Sequence, residues 1–134
     1  MVSIDLIYEG GLRVNAIHGP SQTELYTDAP VDNHGKGESF SPTDLVCTAL
    51  GACMVTIMGI VANRHAIDLK GMKIHIEKHM VQEPVRRIGT IKVQFLMPAV
   101  EEKYRGLLER AAMTCPVHES LHPDVKQEIF FDWE

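Results

Sequence analysis

Two cysteines of the 134-residue chain lie in surroundings that favour reactive thiols. Cys53 lies inside a long charge-free run, and Cys115 directly precedes a proline at the end of a predicted helix. A thiolate attacks peroxides, and a second thiol captures the resulting sulfenic acid as a disulfide. Both residues are also compatible with a structural role, since free cysteine is among the most buried residue types.

Arg13 and Asp44 are the charged residues that could serve such a thiol. A permanently charged guanidinium stabilises a thiolate and polarises a peroxide oxygen, and a carboxylate holds the guanidinium in place. The alternative is a solvated strand arginine and a plain helix cap. Asp44 precedes Cys53 by nine residues, which on a helix is about 180° round the axis and about 13 Å along it. Both therefore serve one site only if the helix kinks or if the acid comes from another subunit.

The remaining cysteine and two histidines carry weaker signals. Cys47 is about 240° round the helix from Cys53, so the two cannot pair, and we interpret Cys47 as a packing residue. Cys115, His118 and His122 have metal-like spacing, but the chain has no fourth ligand nearby and no CxxC or HExxH motif. We expect no metal and no other cofactor. A thiol or metal sensor built on these three residues stays open as an alternative.

The segment 41–63 predicts the helix that carries Cys53. Ser41 and Asp44 match a capping pattern, and Pro42 suits the first helical turn. Residues 45–62 are uncharged and are apolar or small all the way round, which predicts a helix buried on every side. Two threonines and two glycines weaken a membrane interpretation, and no cluster of Lys or Arg flanks the run.

Alternating apolar and polar residues predict the strands around this helix. Segments 2–8, 12–17 and 23–27, separated by glycine-containing turns, predict an antiparallel meander. The later elements are an antiparallel hairpin over 72–79 and 88–96, an amphipathic helix over 100–113, a short helical turn through Leu121 and a strand over 124–133. This order predicts one α+β domain spanning residues 1–134.

Composition and charge limit the partners. The net charge of −5 and the scattered basic residues give no basic face, so we expect no nucleic-acid partner. The N-terminal residues lack a signal-peptide pattern, and three cysteines do not make a secreted disulfide framework, so we expect a cytoplasmic protein.

A helix apolar on every side needs more cover than one small sheet and one helix supply. We therefore expect an obligate homodimer with the two central helices packed together.

Three segments together resemble the OsmC/Ohr family of thiol peroxidases. They are Ser-Pro-Thr-Asp-Leu at 41–45 with Ala-Leu-Gly-Ala-Cys at 49–53, Cys-Pro-Val at 115–117, and Gly-Gly-Leu-Arg at 10–13. The resemblance implies an OsmC-like α+β fold and an intertwined homodimer with two active sites at the subunit interface. It also implies a role in the oxidative stress response.

The resemblance further implies a reaction. The Cys53 thiolate attacks the O–O bond of an organic hydroperoxide, with hydrogen peroxide as a further candidate, and Cys115 condenses with the sulfenic acid. A dithiol then restores both thiols. Arg13 matches the activating arginine and Asp44 the orienting acid, although the organic-hydroperoxide branch has a glutamate where this chain has Thr43. The alternative is a non-enzymatic dimer of this fold that binds a small apolar ligand, with incidental thiols.

Overall fold

The N-terminal residues form a three-stranded antiparallel sheet with the order β1-β2-β3. Its strands are β1 (Ile4–Gly10), β2 (Arg13–His18) and β3 (Glu24–Asp28), and a 3-10 turn follows at Val31–Asn33. The computed structural model describes all 134 residues, and this sheet belongs to the first of two compact units, Met1–Val46 and Cys47–Glu134. The predicted antiparallel meander is confirmed.

Strand β1 leaves an unusual amount of apolar surface in solvent. Four of its large apolar side chains are between 56% and 64% exposed. They are Ile4, Leu6, Ile7 and Tyr8. Because side chains alternate along a strand, Ile4, Leu6 and Tyr8 share one face of the sheet, and apolar exposure of this kind is typical of a surface that another molecule covers.

Helix α1 (Pro42–Arg64) begins in the first unit and continues into the second. Its buried residues follow one helical stripe, and they are Cys47, Leu50, Gly51, Met54, Met58 and Ala62. A second stripe is exposed, and it contains Thr48, Ala49, Ala52, Thr56 and Ile60. A single chain therefore covers only one side of the helix, as expected for one sheet and one helix, and burial on every side stays a prediction that depends on the homodimer. Length and composition alone would let α1 cross a membrane, as they would for many core helices.

The second unit contains a mixed sheet with the order β4-β5-β6. Strands β4 (Lys73–Val81) and β5 (Arg87–Met97) form the predicted antiparallel hairpin, whereas β6 (Lys126–Trp133) pairs in parallel with β5. A parallel neighbour needs a long crossover, and this crossover holds helices α2 (Glu102–Ala112) and α3 (Pro116–Ser120).

The core of the second unit lies on one face of this sheet. Strand β5 is central, and its inward side chains Ile91, Val93 and Phe95 are fully buried. Phe95 stacks on Phe131 of β6 at a centroid distance of 5.1 Å. Burying each such side chain contributes about 1.5–3 kcal/mol.

Gly51 brings α1 close to this sheet. A Cβ at position 51 would lie 2.5 Å from Cδ1 of Ile76 on β4 and 3.6 Å from Cγ2 of Ile74. The missing side chain beside Cys53 therefore serves close helix–sheet packing.

The predicted α+β class and the order of the elements are confirmed. The homodimer stays a prediction, as does the single domain.

Candidate functional site

Two of the predicted site residues, Cys53 and Cys115, lie side by side in the second unit. Both thiols are free, and the Cys53 side chain is close enough to Cys115 to affect its ionisation. Cys115 is completely buried, whereas Cys53 is half-buried and packs at the edge of the core. The fold therefore brings together two sulfurs that are distant in sequence and leaves one of them more accessible.

A sharp change of backbone direction places Cys115. Helix α2 ends at Ala112, and Cys115 itself is extended, with φ −65° and ψ 140°. Pro116 then occupies the first turn of α3, where its missing N–H leaves no intrahelical bond unmade. Cys115 thereby becomes the N-cap of α3, and its Sγ accepts a hydrogen bond from the backbone N–H of His118 at 3.1 Å.

Opposing effects act on the Cys115 thiol. Burial raises the pKa of Cys115, and the neighbouring Cys53 side chain raises it further, whereas the backbone N–H groups of His118 and Val117 lower it. The net direction is upward, because the thiolate loses more solvation than the two N–H groups restore. Cys115 therefore keeps its proton at neutral pH.

A side-chain clamp fixes α3 to the sheet. Nδ1 of His118 is hydrogen-bonded to Oε1 of Gln127 on β6, and Nε2 of Gln127 donates to the His118 carbonyl at 3.4 Å. The two bonds hold the residue whose N–H contacts the Cys115 sulfur. Sequence reasoning missed Gln127, because only the packing of α3 on β6 makes it relevant.

Arg13 lies in the first unit, within a cluster of carboxylates. The strand register places Arg13 directly opposite Asp28, and their side chains form a two-bond ion pair, Nε–Oδ1 and Nη2–Oδ2, both 2.8 Å. Nη2 also donates to Oε2 of Glu38 at 3.1 Å, and the guanidinium lies 6.0 Å from the Tyr26 ring centroid. The geometry locks the orientation of the cation.

The ion pair perturbs both partners. Hydrogen bonding to Asp28 holds the pKa of Arg13 above its usual range, so the guanidinium is charged at any working pH. Hydrogen bonding to Arg13 likewise lowers the pKa of Asp28, whose carboxylate also accepts from the Glu38 backbone N–H at 3.1 Å. A fixed, permanent cation of this kind is suited to polarising an oxygen or stabilising an anion.

Sequence reasoning missed Asp28 and Glu38. The predicted third strand ended at residue 27, one position before Asp28, and Glu38 reaches Arg13 from the polar loop that follows. One signal was present: in a tight meander, the start of the second strand faces the end of the third.

Asp44 lies in the capping box of α1. The backbone N–H of Ser41 donates to Oδ2 of Asp44 at 2.9 Å, and the Asp44 N–H donates to Oγ of Ser41 at 3.1 Å. The predicted capping pattern is confirmed. The carboxylates that the structure shows on Arg13 are Asp28 and Glu38, and the orienting role of Asp44 stays a prediction.

The histidines near Cys115 have other contacts. Nδ1 of His122 accepts from the backbone N–H of Asp124 at 3.0 Å, while His118 contacts Gln127. No group of three or more His, Cys, Asp or Glu side chains is placed to hold a metal ion.

Comparisons with known proteins agree with this arrangement of elements. A family model described as OsmC-like protein matches residues 35–129. A protein from Psychrobacter arcticus 273-4, described as a candidate osmotic stress induced and detoxification response protein, is 42% identical, with a TM-score of 0.92. The alignment covers 98% of this chain and 96% of that one. No curated protein matches the chain.

More distant structures share the fold. The organic hydroperoxide resistance protein OsmC of Legionella pneumophila is 16% identical with a TM-score of 0.78, covering 98% of this chain and 96% of that chain. A candidate organic hydroperoxide resistance protein of Vibrio cholerae, with captopril bound in one active site, is 17% identical with a TM-score of 0.76. Coverage is 98% of this chain and 91% of that one. From the family match and the 42% identity, the chain belongs to the OsmC-like family.

Proposed function

We propose that the protein is a thiol-dependent peroxidase that reduces organic hydroperoxides, with Cys53 as the attacking thiol and Cys115 as the resolving thiol. The observation that carries the proposal is the proximity of these two free thiols, close enough for Cys53 to affect the ionisation of Cys115. The substrate class is supported by the names of the fold relatives, two of which are organic hydroperoxide resistance proteins.

The first step belongs to Cys53, the more accessible sulfur of the pair. Its thiolate attacks the terminal oxygen of the hydroperoxide, the O–O bond breaks, and the alkoxide leaves and takes a proton to become the alcohol. The sulfur is oxidised to a sulfenic acid, and the peroxide is reduced by two electrons.

The second step belongs to Cys115. Its sulfur attacks the Cys53 sulfenic acid, the S–O bond breaks, and hydroxide leaves with the Cys115 proton as water. Burial suits Cys115 to this step, because it shields the thiol from peroxide until its neighbour is oxidised. An external dithiol then reduces the disulfide and restores both thiols.

Arg13 is the cation that we propose for polarising the peroxide and stabilising the alkoxide. Its support is the ion-pair cluster with Asp28 and Glu38, which fixes the guanidinium in one orientation. Preorganised donors of this kind contribute about 10²–10³-fold in rate. Asp44 remains the predicted orienting acid.

We further propose that the protein works as a homodimer with the α1 helices in its interior. Its support is the exposed stripe of α1, which includes Ile60 at 47% exposure, and the exposed apolar residues of β1. A monomeric mass by light scattering at micromolar concentration would contradict this.

We also propose a cytoplasmic location, where a reducing environment would maintain the three free thiols.

The decisive experiment follows cumene hydroperoxide consumption in the presence of a dithiol. Cys53→Ser should lose activity by about 10³-fold or more, because the covalent nucleophile is absent. Cys115→Ser should complete one turnover and then stall, with a sulfenic acid on Cys53 that dimedone traps. Cys47→Ala is the matched control, and it should retain wild-type turnover.

The same experiment separates the rival function. If the wild type and Cys53→Ser consume peroxide equally slowly, the peroxidase function is ruled out. That result would favour a dimer that binds a small apolar ligand. A mass decrease of about 2 Da per chain after one equivalent of peroxide would show the disulfide directly.

A further inference from the structure

The two sulfurs of the thiol pair differ in access, and this difference bears on how the oxidised protein is reduced. Cys115 has no exposed surface and belongs to the buried core cluster that also contains Leu108 and Ala112. Cys53 is only half-buried and lies on α1, next to the exposed Ala52. Thiol–disulfide exchange requires the attacking thiolate to approach in line with the S–S bond, so it depends strongly on which sulfur is reachable.

We propose that the reductant attacks the Cys53 sulfur of the Cys53–Cys115 disulfide and that Cys115 is always the leaving sulfur. This inference rests on the proposed function for its biological setting, although the disulfide can also be made with a chemical oxidant. It assigns a direction to the regeneration step: the dithiol is joined transiently to α1 and never to the α2–α3 connection.

The first turn of α3 prepares Cys115 to leave. When the S–S bond breaks, its electron pair goes to Sγ of Cys115, which already accepts the His118 N–H at 3.1 Å. The Val117 N–H also stabilises the anion. Two backbone donors offset part of the desolvation of a buried thiolate, so the leaving sulfur does not have to reach water.

Burial then makes the departure hard to reverse. Because burial raises the pKa of Cys115, the released thiolate takes a proton at neutral pH and becomes a poor nucleophile. The mixed disulfide between Cys53 and the reductant therefore persists until the second thiol of the same dithiol attacks the reductant sulfur. That attack closes the reductant disulfide and releases Cys53 as a thiolate, and the two electrons come from the dithiol.

The test starts from protein oxidised with diamide, so that it does not depend on peroxide turnover. The oxidised protein is treated briefly with 2-mercaptoethanol, quenched in acid, alkylated with N-ethylmaleimide and mapped by peptide mass spectrometry. We expect mercaptoethanol on Cys53 and maleimide on Cys115. The reverse distribution would overturn the proposal, as would failure of diamide to form the Cys53–Cys115 disulfide. Cys47→Ala should give the same map, which excludes scrambling through the third thiol.

A second measurement does not depend on trapping. Cys115→Ser and Cys53→Ser, each with Cys47→Ala, are treated with the Ellman reagent, and release of thionitrobenzoate by dithiothreitol is timed. The adduct on Cys53 should react at least about tenfold faster than the adduct on Cys115, or Cys115 should fail to load. Equal rates would overturn the proposal.

The two hypotheses fail separately. If cumene hydroperoxide is not turned over but the mercaptoethanol adduct maps to Cys53, the proposed direction of reduction is supported and the peroxidase function is contradicted. If turnover is normal and the adduct maps to Cys115, the peroxidase function is supported and the proposed direction of reduction is contradicted.

Discussion

The arginine cluster and the thiol pair are held in place by different kinds of interaction. Arg13 is held by directional ion pairs that the β2–β3 register brings opposite each other. Cys115 is held by burial in a core and by a helix cap, with few polar bonds. One substitution or acid should therefore loosen the charged cluster without unfolding its sheet, whereas the largest effects on the thiol pair should come from disturbing the packing around it.

The largest effect on stability is expected from the core that holds the thiols. Leu108→Ala removes a fully buried side chain of the cluster that contains Cys115, and it should lower the free energy of unfolding by about 2–5 kcal/mol. Leu96→Ala is the matched control, because Leu96 is 44% exposed on β5, and its effect should stay within about 0.5 kcal/mol. Urea denaturation measures both. Similar losses in the two variants would show that the core does not hold the pair.

The arginine cluster should instead affect catalysis. Arg13→Ala should lower kcat/KM for cumene hydroperoxide by about 10²–10³-fold, because a preorganised cation is lost. Arg13→Lys should recover part of this loss, since it keeps the charge but not the two-bond fork. Arg110→Ala, which removes an exposed arginine of α2, should leave kcat/KM unchanged. An unchanged kcat/KM in Arg13→Ala would show that Arg13 does not take part in the reaction.

The clamp behind Cys115 should have a smaller effect. Gln127→Leu removes both bonds to His118, so α3 holds its N–H groups less firmly on the Cys115 sulfur. Reduction of the disulfide should slow by about threefold to tenfold, the equivalent of about one hydrogen bond. The pH profile of Cys115 alkylation should also move to higher pH, because N–H donation lowers the pKa of this thiol.

Gln94→Leu is the control for the clamp. Gln94 also uses its side-chain amide on the sheet, donating to Oδ2 of Asp132 at 2.8 Å. If the two glutamine variants slow the reduction equally, the effect belongs to the sheet in general and not to the clamp.

The same two regions show which parts of the molecule are readable from sequence. The helix cap at Ser41 and the alternation along β5 are local patterns, and they predicted the elements correctly. The contacts of Arg13 depend on register, which is set by turns and by which face is buried, so Asp28 lay just outside its predicted strand. The parallel pairing of β6 with β5 is likewise a property of the whole unit.

The burial of α1 shows a different limit. Its composition predicted cover on every side, yet one chain covers one stripe, because the sheet has only one face to offer. Composition reflects the environment of the protein in its working state, and in the proposed homodimer that environment would include the surface of the partner chain. The homodimer proposal can therefore be tested at the exposed stripe of α1. Ile60→Glu places a charge on this stripe, and light scattering should then give the mass of a monomer.

The smallest expected effect is an acid dependence that originates in the arginine cluster. Hydrogen bonding to Arg13 lowers the pKa of Asp28 below its ordinary value of 3.8. As the pH falls, Asp28 is therefore protonated at a higher pH in the unfolded chain than in the folded chain. The Asp28 contribution to stability is therefore complete above about pH 4 and is lost as the pH falls through the folded pKa. Asp28→Asn should show a shallower fall in the free energy of unfolding below pH 4, measured by urea denaturation. Arg13→Gln should flatten the curve as well, and the double variant should be no flatter than either single one, because both changes remove the same ion pair. A wild-type slope in Asp28→Asn would place the acid sensitivity elsewhere and leave the cluster with a role in orientation alone.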